Sequence, residues 1–208
     1  MTISKTIPNI TANRWIEFAA ANSNSRVARV RELQTRHNRD GSGMDFWRAW
    51  RLGVARLHEM GLGKDALETL WHDANPKQSE SFRSASEGYS KFWGRKQLAG
   101  NSITVRTGGL WHSGDIRIRV APDLLVSIGG GVPLQTLLHL NKRFPVDQRA
   151  ANPILAMMKD SLSTEFEVAV LDVHRGKLFT PTNTSTDHLI GAHADAAAFA
   201  LIWKQLSN

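Results

Sequence analysis

The chain reads as an α+β protein: an N-terminal helical region followed by a small mixed β-sheet flanked by helices. Three observations predict it. Apolar residues recur every three to four positions up to about residue 98, with Gly, Asn and Pro falling between the runs. At Gly100 the period changes to two, the strongest internal boundary in the sequence. The last segment returns to helical spacing in an alanine-rich stretch.

The helical elements follow from caps and breakers. Thr11 can cap a first helix carrying Trp15, Ile16 and Phe18. A second, about Arg26 to His37, sets Val27, Val30 and Leu33 on one side and groups Arg29, Arg36 and Arg39 on another. A third, about Met44 to Met60, spaces Phe46, Trp50, Val54 and Leu57 helically and stops at Gly61-Leu-Gly63. A short fourth runs from Lys64 to His72. Asn75-Pro76 breaks it, and Pro76 can open the fifth, about Lys77 to Leu98.

The strands follow from alternation. Ser102-Ile-Thr-Val-Arg106 and Asp115-Ile-Arg-Ile-Arg-Val120 are the first two, and Pro122-Asp-Leu-Leu-Val-Ser-Ile128 continues to a Gly129-Gly-Gly131 turn. Pro122 bends or divides that run because it cannot donate to the ladder. Val132 to Leu140 returns as a strand. A helix over Gln148 to Leu162 contains Pro153, a buried strand sits at Val168 to Val173, and the chain closes in a helix from about Ala194 to Leu206. The expected division is residues 1–75 as the helical region and 76–208 as the α/β domain.

Composition excludes several chemistries. With no cysteine among 208 residues, disulfide scaffolds, thiolate metal sites, iron–sulfur clusters and cysteine nucleophiles are impossible. The formal charge is +7, and residues 1–100 hold 16 Lys and Arg against 10 Asp and Glu. The start lacks a signal-peptide apolar run, and no stretch approaches the roughly 18 apolar residues that span a bilayer, so the expectation is a cytoplasmic protein without a membrane role.

From about residue 77 the predicted order is helix, three strands, helix, strand, helix, with Pro122-Asp123 at the middle of the second or third strand and Leu134-Gln-Thr-Leu-Leu-His-Leu-Asn-Lys142 following. These features resemble the core of the PD-(D/E)XK nuclease superfamily, a restriction-endonuclease-like fold. There an acid on the second strand and a Glu-x-Lys on the third serve the metal. The segments Tyr89 to Lys96, Ala121 to Leu124 and Leu171 to Phe179 also resemble a group of uncharacterised bacterial proteins. The resemblance implies Asp123, Lys142 and His139 as catalytic candidates. It also implies Asp123 with Glu80 or Glu87 as ligands of Mg, which would polarise a phosphate and activate water. The third strand departs from the pattern, since no acid lies between Val132 and Lys142 and Leu140 occupies the Glu position before Lys142. A degenerate metal motif is therefore expected.

Nucleic-acid contact is expected from Arg29, Arg36 and Arg39, from Arg95 and Lys96 at the end of the fifth helix, and from Arg175 and Lys177 beyond the buried strand. Arg48, Arg51 and Arg56 add to that basic surface. Seven tryptophans are present, and Trp47 and Trp111 are the two that could serve as stacking platforms or partner contacts. Gly61-Leu-Gly-Lys64 lacks the Ser or Thr of a phosphate-binding loop, and no Gly-x-Ser-x-Gly elbow occurs. The expected function is a nucleic-acid-binding protein or accessory subunit, with a protein partner. The alternatives are an active Mg-dependent nuclease or an interaction subunit with no nucleic-acid role.

Overall fold

The computed structural model describes residues 9–39, 45–96, 98, 103–104, 108–162, 165–182 and 185–207. It is an α+β protein with seven α-helices and two small mixed sheets among those residues. A two-residue strand β1 (Ile10–Thr11) leads into α1 (Ala12–Ala19), whose first turn is capped by the Thr11 hydroxyl accepting from the Arg14 N–H at 3.4 Å. α2 (Ser23–Arg39) starts before Arg26 because the Asn22 side chain accepts from the Ser25 N–H at 3.0 Å. α3 (Arg48–Glu59), a 3-10 turn over Lys64–Glu68, α4 (Thr69–His72) and α5 (Pro76–Lys96) complete the first half. Asn75 caps α5 by accepting from the Lys77 N–H.

The strands divide between two sheets where the sequence suggested one. β3 (Gly109–Ser113) and β4 (Ile116–Val120) form a hairpin, and β1 adds to β4 in parallel, giving the order β1-β4-β3. The second sheet holds β2 (Ile103–Thr104), β5 (Leu124–Val126), β6 (Leu134–His139), β7 (Glu167–Asp172) and β8 (Lys177–Phe179) in that order. Its pairs are antiparallel except β6 with β7, which α6 (Gln148–Ser161) joins as a crossover. Pro122 separates β4 from β5 and lets the chain change sheets. Most of the strand expected over 102–106 lies outside the described residues. The final helix α7 (Ser185–Leu206) begins nine residues before the expected Ala194 and runs through Gly191, beside whose Cα there is open space.

Helices cover both faces of the five-stranded sheet. Leu137, Val168 and Val170 face one apolar cluster with Trp15, Phe18, Ile154, Phe199 and the three-stranded sheet. Leu138, Leu171 and Val173, on the opposite face, pack with Trp50, Val54, Phe82, Tyr89 and Phe92. The helices before residue 76 thus dock on the sheets, α1 and α2 on one side and α3 on the other. Trp111 lies within β3 and is buried in the first cluster, which removes it as an exposed platform. No helix among the described residues is long and apolar enough to cross a membrane.

α5 meets the 3-10 turn Val173–Arg175 backbone to backbone at Gly88. A Cβ there would overlap the Val173 carbonyl oxygen and lie 2.8 Å from the His174 Cα. Gly88→Ala is expected to destabilise by about 1–3 kcal/mol through overpacking, despite a gain of roughly 1 kcal/mol in helix propensity. An unchanged urea midpoint would remove this contact as the reason for the glycine.

Candidate functional site

A cleft of about 970 Å³ opens at the carboxyl ends of β6 and β7, the region where open α/β sheets bind ligands. Two walls form it. One is built by the first turn of α1, by Arg36 of α2, by Arg119 of β4 and by Asn141 and Arg143 beyond β6. The β1–β4 register sets Thr11 opposite Arg119, and the Asn141 amide donates to Glu17 of α1 at 2.6 Å. The other wall comprises Asp45, Phe46, Trp47 and Arg51 at the start of α3, with Glu80, Ser81 and Ser84 of α5. Asp123, His139, Lys142 and His174 lie along the cleft with them.

Asp123 precedes β5, and both of its oxygens are engaged. Oδ2 accepts from the Leu138 N–H at 2.8 Å, and Oδ1 meets Arg51 Nε at 3.0 Å. The same guanidinium also binds Asp45, so Arg51 sits between two carboxylates. Burial raises the Asp123 pKa to about 6, outweighing the opposing pull of Arg51 and the Leu138 N–H, and Asp45 adds to the rise.

The histidines here are neutral hydrogen-bonding groups. His139 is 1% exposed, and its Nε2 donates to the Phe144 carbonyl at 2.7 Å, while Nδ1 has no partner among the described residues. Burial lowers its pKa, as it does that of His174. His174 donates through Nε2 to the Leu140 carbonyl at 3.0 Å and accepts at Nδ1 from the Ser84 hydroxyl at 3.2 Å. Lys142 Nζ is 3.4 Å from the same hydroxyl.

The cleft thus brings together Asp123, His139, Lys142 and Glu80 of the residues expected from sequence, and, of the basic ones, Arg36, which pairs with Glu32, and Arg51. Glu87 does not line it, and pairs with Arg83 on the exposed side of α5 at 3.1 Å. Among the described residues no three His, Asp or Glu side chains gather where they could hold a metal ion. The donor set does not fit Mg: the Asp123 oxygens face a guanidinium and an N–H, and the cleft-lining residues of β6 and the segment after it, Leu137 and His139 to Arg143, include no carboxylate.

The other basic candidates lie elsewhere. Arg29 pairs with Glu32 at 2.5 Å and stacks over Phe144 at 3.9 Å. The Arg175 guanidinium is committed to Asp172 at 3.1 Å and to the Lys142 carbonyl, so it braces the rim. Arg95 donates to the Lys91 carbonyl, Lys96 is exposed at the end of α5, and Lys177 lies 5.0 Å over the Phe179 ring. The Arg39 side chain lies outside the described residues.

Sequence reasoning passed over Arg14, Arg119 and Arg143, all exposed and lining the cleft without an ion pair among the described residues. The outward alternation of Ile116-Arg-Ile-Arg119 was the available signal for one of them. Phe46, expected within the third helix, precedes α3 and is 40% exposed on the cleft. Comparison of the chain with family models, with curated proteins and with solved structures finds no significant match.

Proposed function

We propose that this protein binds nucleic acid in the cleft, on a nuclease-like sheet without the carboxylates that metal-dependent cleavage needs, alone or as a subunit of a larger assembly. The observation that carries this reading is the cationic wall. Arg14, Arg119 and Arg143 share a concave surface with no acid paired to them among the described residues. Like charges gathered in a cleft repel one another and focus a positive potential, which a phosphate backbone relieves as it releases counterions.

The element order supports the nuclease-like part. α5, the antiparallel series β2, β5, β6, the crossover α6 and the parallel strand β7 follow the superfamily's sequence of elements, with the β3–β4 hairpin inserted after the first strand. Pro122-Asp123 then stands at the start of the second core strand and Lys142 just past the third.

The test is fluorescence anisotropy with labelled DNA and RNA across a salt series, comparing wild type with Arg119→Ala/Arg143→Ala. The double variant is expected to bind at least tenfold more weakly at low salt, with a log–log salt slope shallower by about 1.5. Equal affinity and slope in the two proteins would end the reading. A parallel gel in magnesium and manganese is expected to leave the substrates intact; cleavage abolished by Asp123→Asn would instead make the protein a nuclease.

A further inference from the structure

We infer that the cleft takes a single strand in preference to a duplex, phosphates on the α1–β4 wall and bases toward Phe46. This rests on the nucleic-acid reading above and adds the strand form and its orientation. The two walls differ in charge. Arg14, Arg119 and Arg143 define one, where the acid Glu17 is tied to the Asn141 amide; on the other, beside Phe46 and Trp47, Asp45 is paired with Arg51 and Glu80 has no ion pair among the described residues. A phosphate backbone is attracted to the first wall and meets no surplus of positive charge on the second, where Arg51 is held between Asp45 and Asp123. Carboxylates suit base edges, since they accept from exocyclic amino groups.

A duplex cannot satisfy both walls, because its two backbones lie outside and its bases are stacked within. Proteins that read duplexes insert a convex helix or ribbon into a groove roughly 12 Å wide. This surface is concave, and its volume of about 970 Å³ is that of a pocket enclosing a few rings and linkers. Splayed bases of a single strand can enter such a space and stack on an aromatic face while cations track the backbone.

Phe46 fits the stacking role. Its ring is 40% exposed yet fixed, edge-to-face with Trp47 at 5.1 Å and with Phe82 at 5.9 Å between centroids. Its carbonyl accepts from the Gln78 amide of α5 at 2.8 Å, which anchors the backbone beneath it. Trp47 is less available, since it already stacks on Phe82 with rings 25° apart.

The experiment is anisotropy at low salt with the full chain and labelled 12-nucleotide strands of DNA and RNA, each also as its duplex. Single strands of one or both chemistries are expected to bind at least tenfold more tightly than the duplexes. Phe46→Ala is expected to weaken single-strand binding about tenfold with the salt slope unchanged, and Phe46→Trp to retain it. Thermal melts of both variants check that they fold. Duplex binding as tight as single-strand binding, or an unaffected Phe46→Ala, overturns this inference and leaves nucleic-acid binding standing. Failure of every strand and duplex to bind overturns both.

Discussion

Asp172→Ala is expected to cost the fold about 3–5 kcal/mol, a large share of the roughly 5–15 kcal/mol that holds a domain together. Asp172 ends β7 and is 0% exposed. Its carboxylate accepts from the Val146 N–H at 3.1 Å, from the Arg175 N–H at 3.3 Å and from the Arg175 guanidinium at 3.1 Å. One side chain therefore joins the last strand residue, the 3-10 turn after it and the segment leading into α6. Alanine strands the buried Val146 N–H and leaves the guanidinium, among the described residues, bonded to the Lys142 carbonyl alone. The guanidinium is 40% exposed and screened by water, so the loss comes mainly from the N–H groups left without an acceptor. Asp172→Asn, which keeps one oxygen, is expected to lose less. Urea denaturation of Asp172→Ala, Arg175→Ala and the double variant should give a double loss smaller than the sum of the singles. Strict additivity, or an unchanged midpoint for Asp172→Ala, would refute the coupling.

The local chemistry of helices is legible in the sequence, whereas the pairing of strands is not. Thr11 and Asn75-Pro76 act within a few residues of themselves, so the elements they bound could be placed. Period two in Asp115 to Val120 reveals which side chains share a face, but not that β4 pairs with β1 from the far end of the chain. That pairing, with the Glu17–Asn141 bond, assembles the cationic wall from Arg14, Arg119 and Arg143. No pattern along the sequence connects them. Charge along a helix is legible when its partner is local: Arg29 is one turn from Glu32, and the i, i+3 spacing contains the acid that pairs with it. Asp123, Glu80, His139 and Lys142 were reached through a family resemblance and do line one cleft. The guanidinium of Arg51 against Asp123 could not be read, because it depends on how α3 docks across the sheet.

Burial of Asp123, only partly offset by that guanidinium, sets a pH dependence. The Asp123 pKa is pushed up to about 6 in the fold, above the ordinary carboxylate value of 3.8 that the unfolded chain shows. The folded protein thus holds this proton more tightly. Its contribution to stability is fully present below about pH 4, is lost as pH rises through about 6, and stays lost above. A rise of about two units corresponds to roughly 3 kcal/mol. The charged groups around it are Arg51 and Asp45, with Glu80 and Lys142 in the same cleft and, beside them, the rings of His139 and His174, whose pKa values burial lowers. Wild type alone would obscure the effect. His58, buried against Tyr89 with its pKa lowered to about 4, has the opposite slope, its stability contribution being lost as pH falls from about 6.5 toward 4. Asp123→Asn removes one slope and retains the other. Between pH 4 and 7 wild type is therefore expected to lose about 3 kcal/mol relative to Asp123→Asn in urea denaturation, with the difference levelling above pH 7. Parallel stability curves would mean that the Asp123 carboxylate stays ionised in the fold, with Arg51 outweighing burial. The same protonation removes a negative charge from the cleft, so wild-type affinity for a single strand should rise between pH 7 and pH 5 more than that of Asp123→Asn.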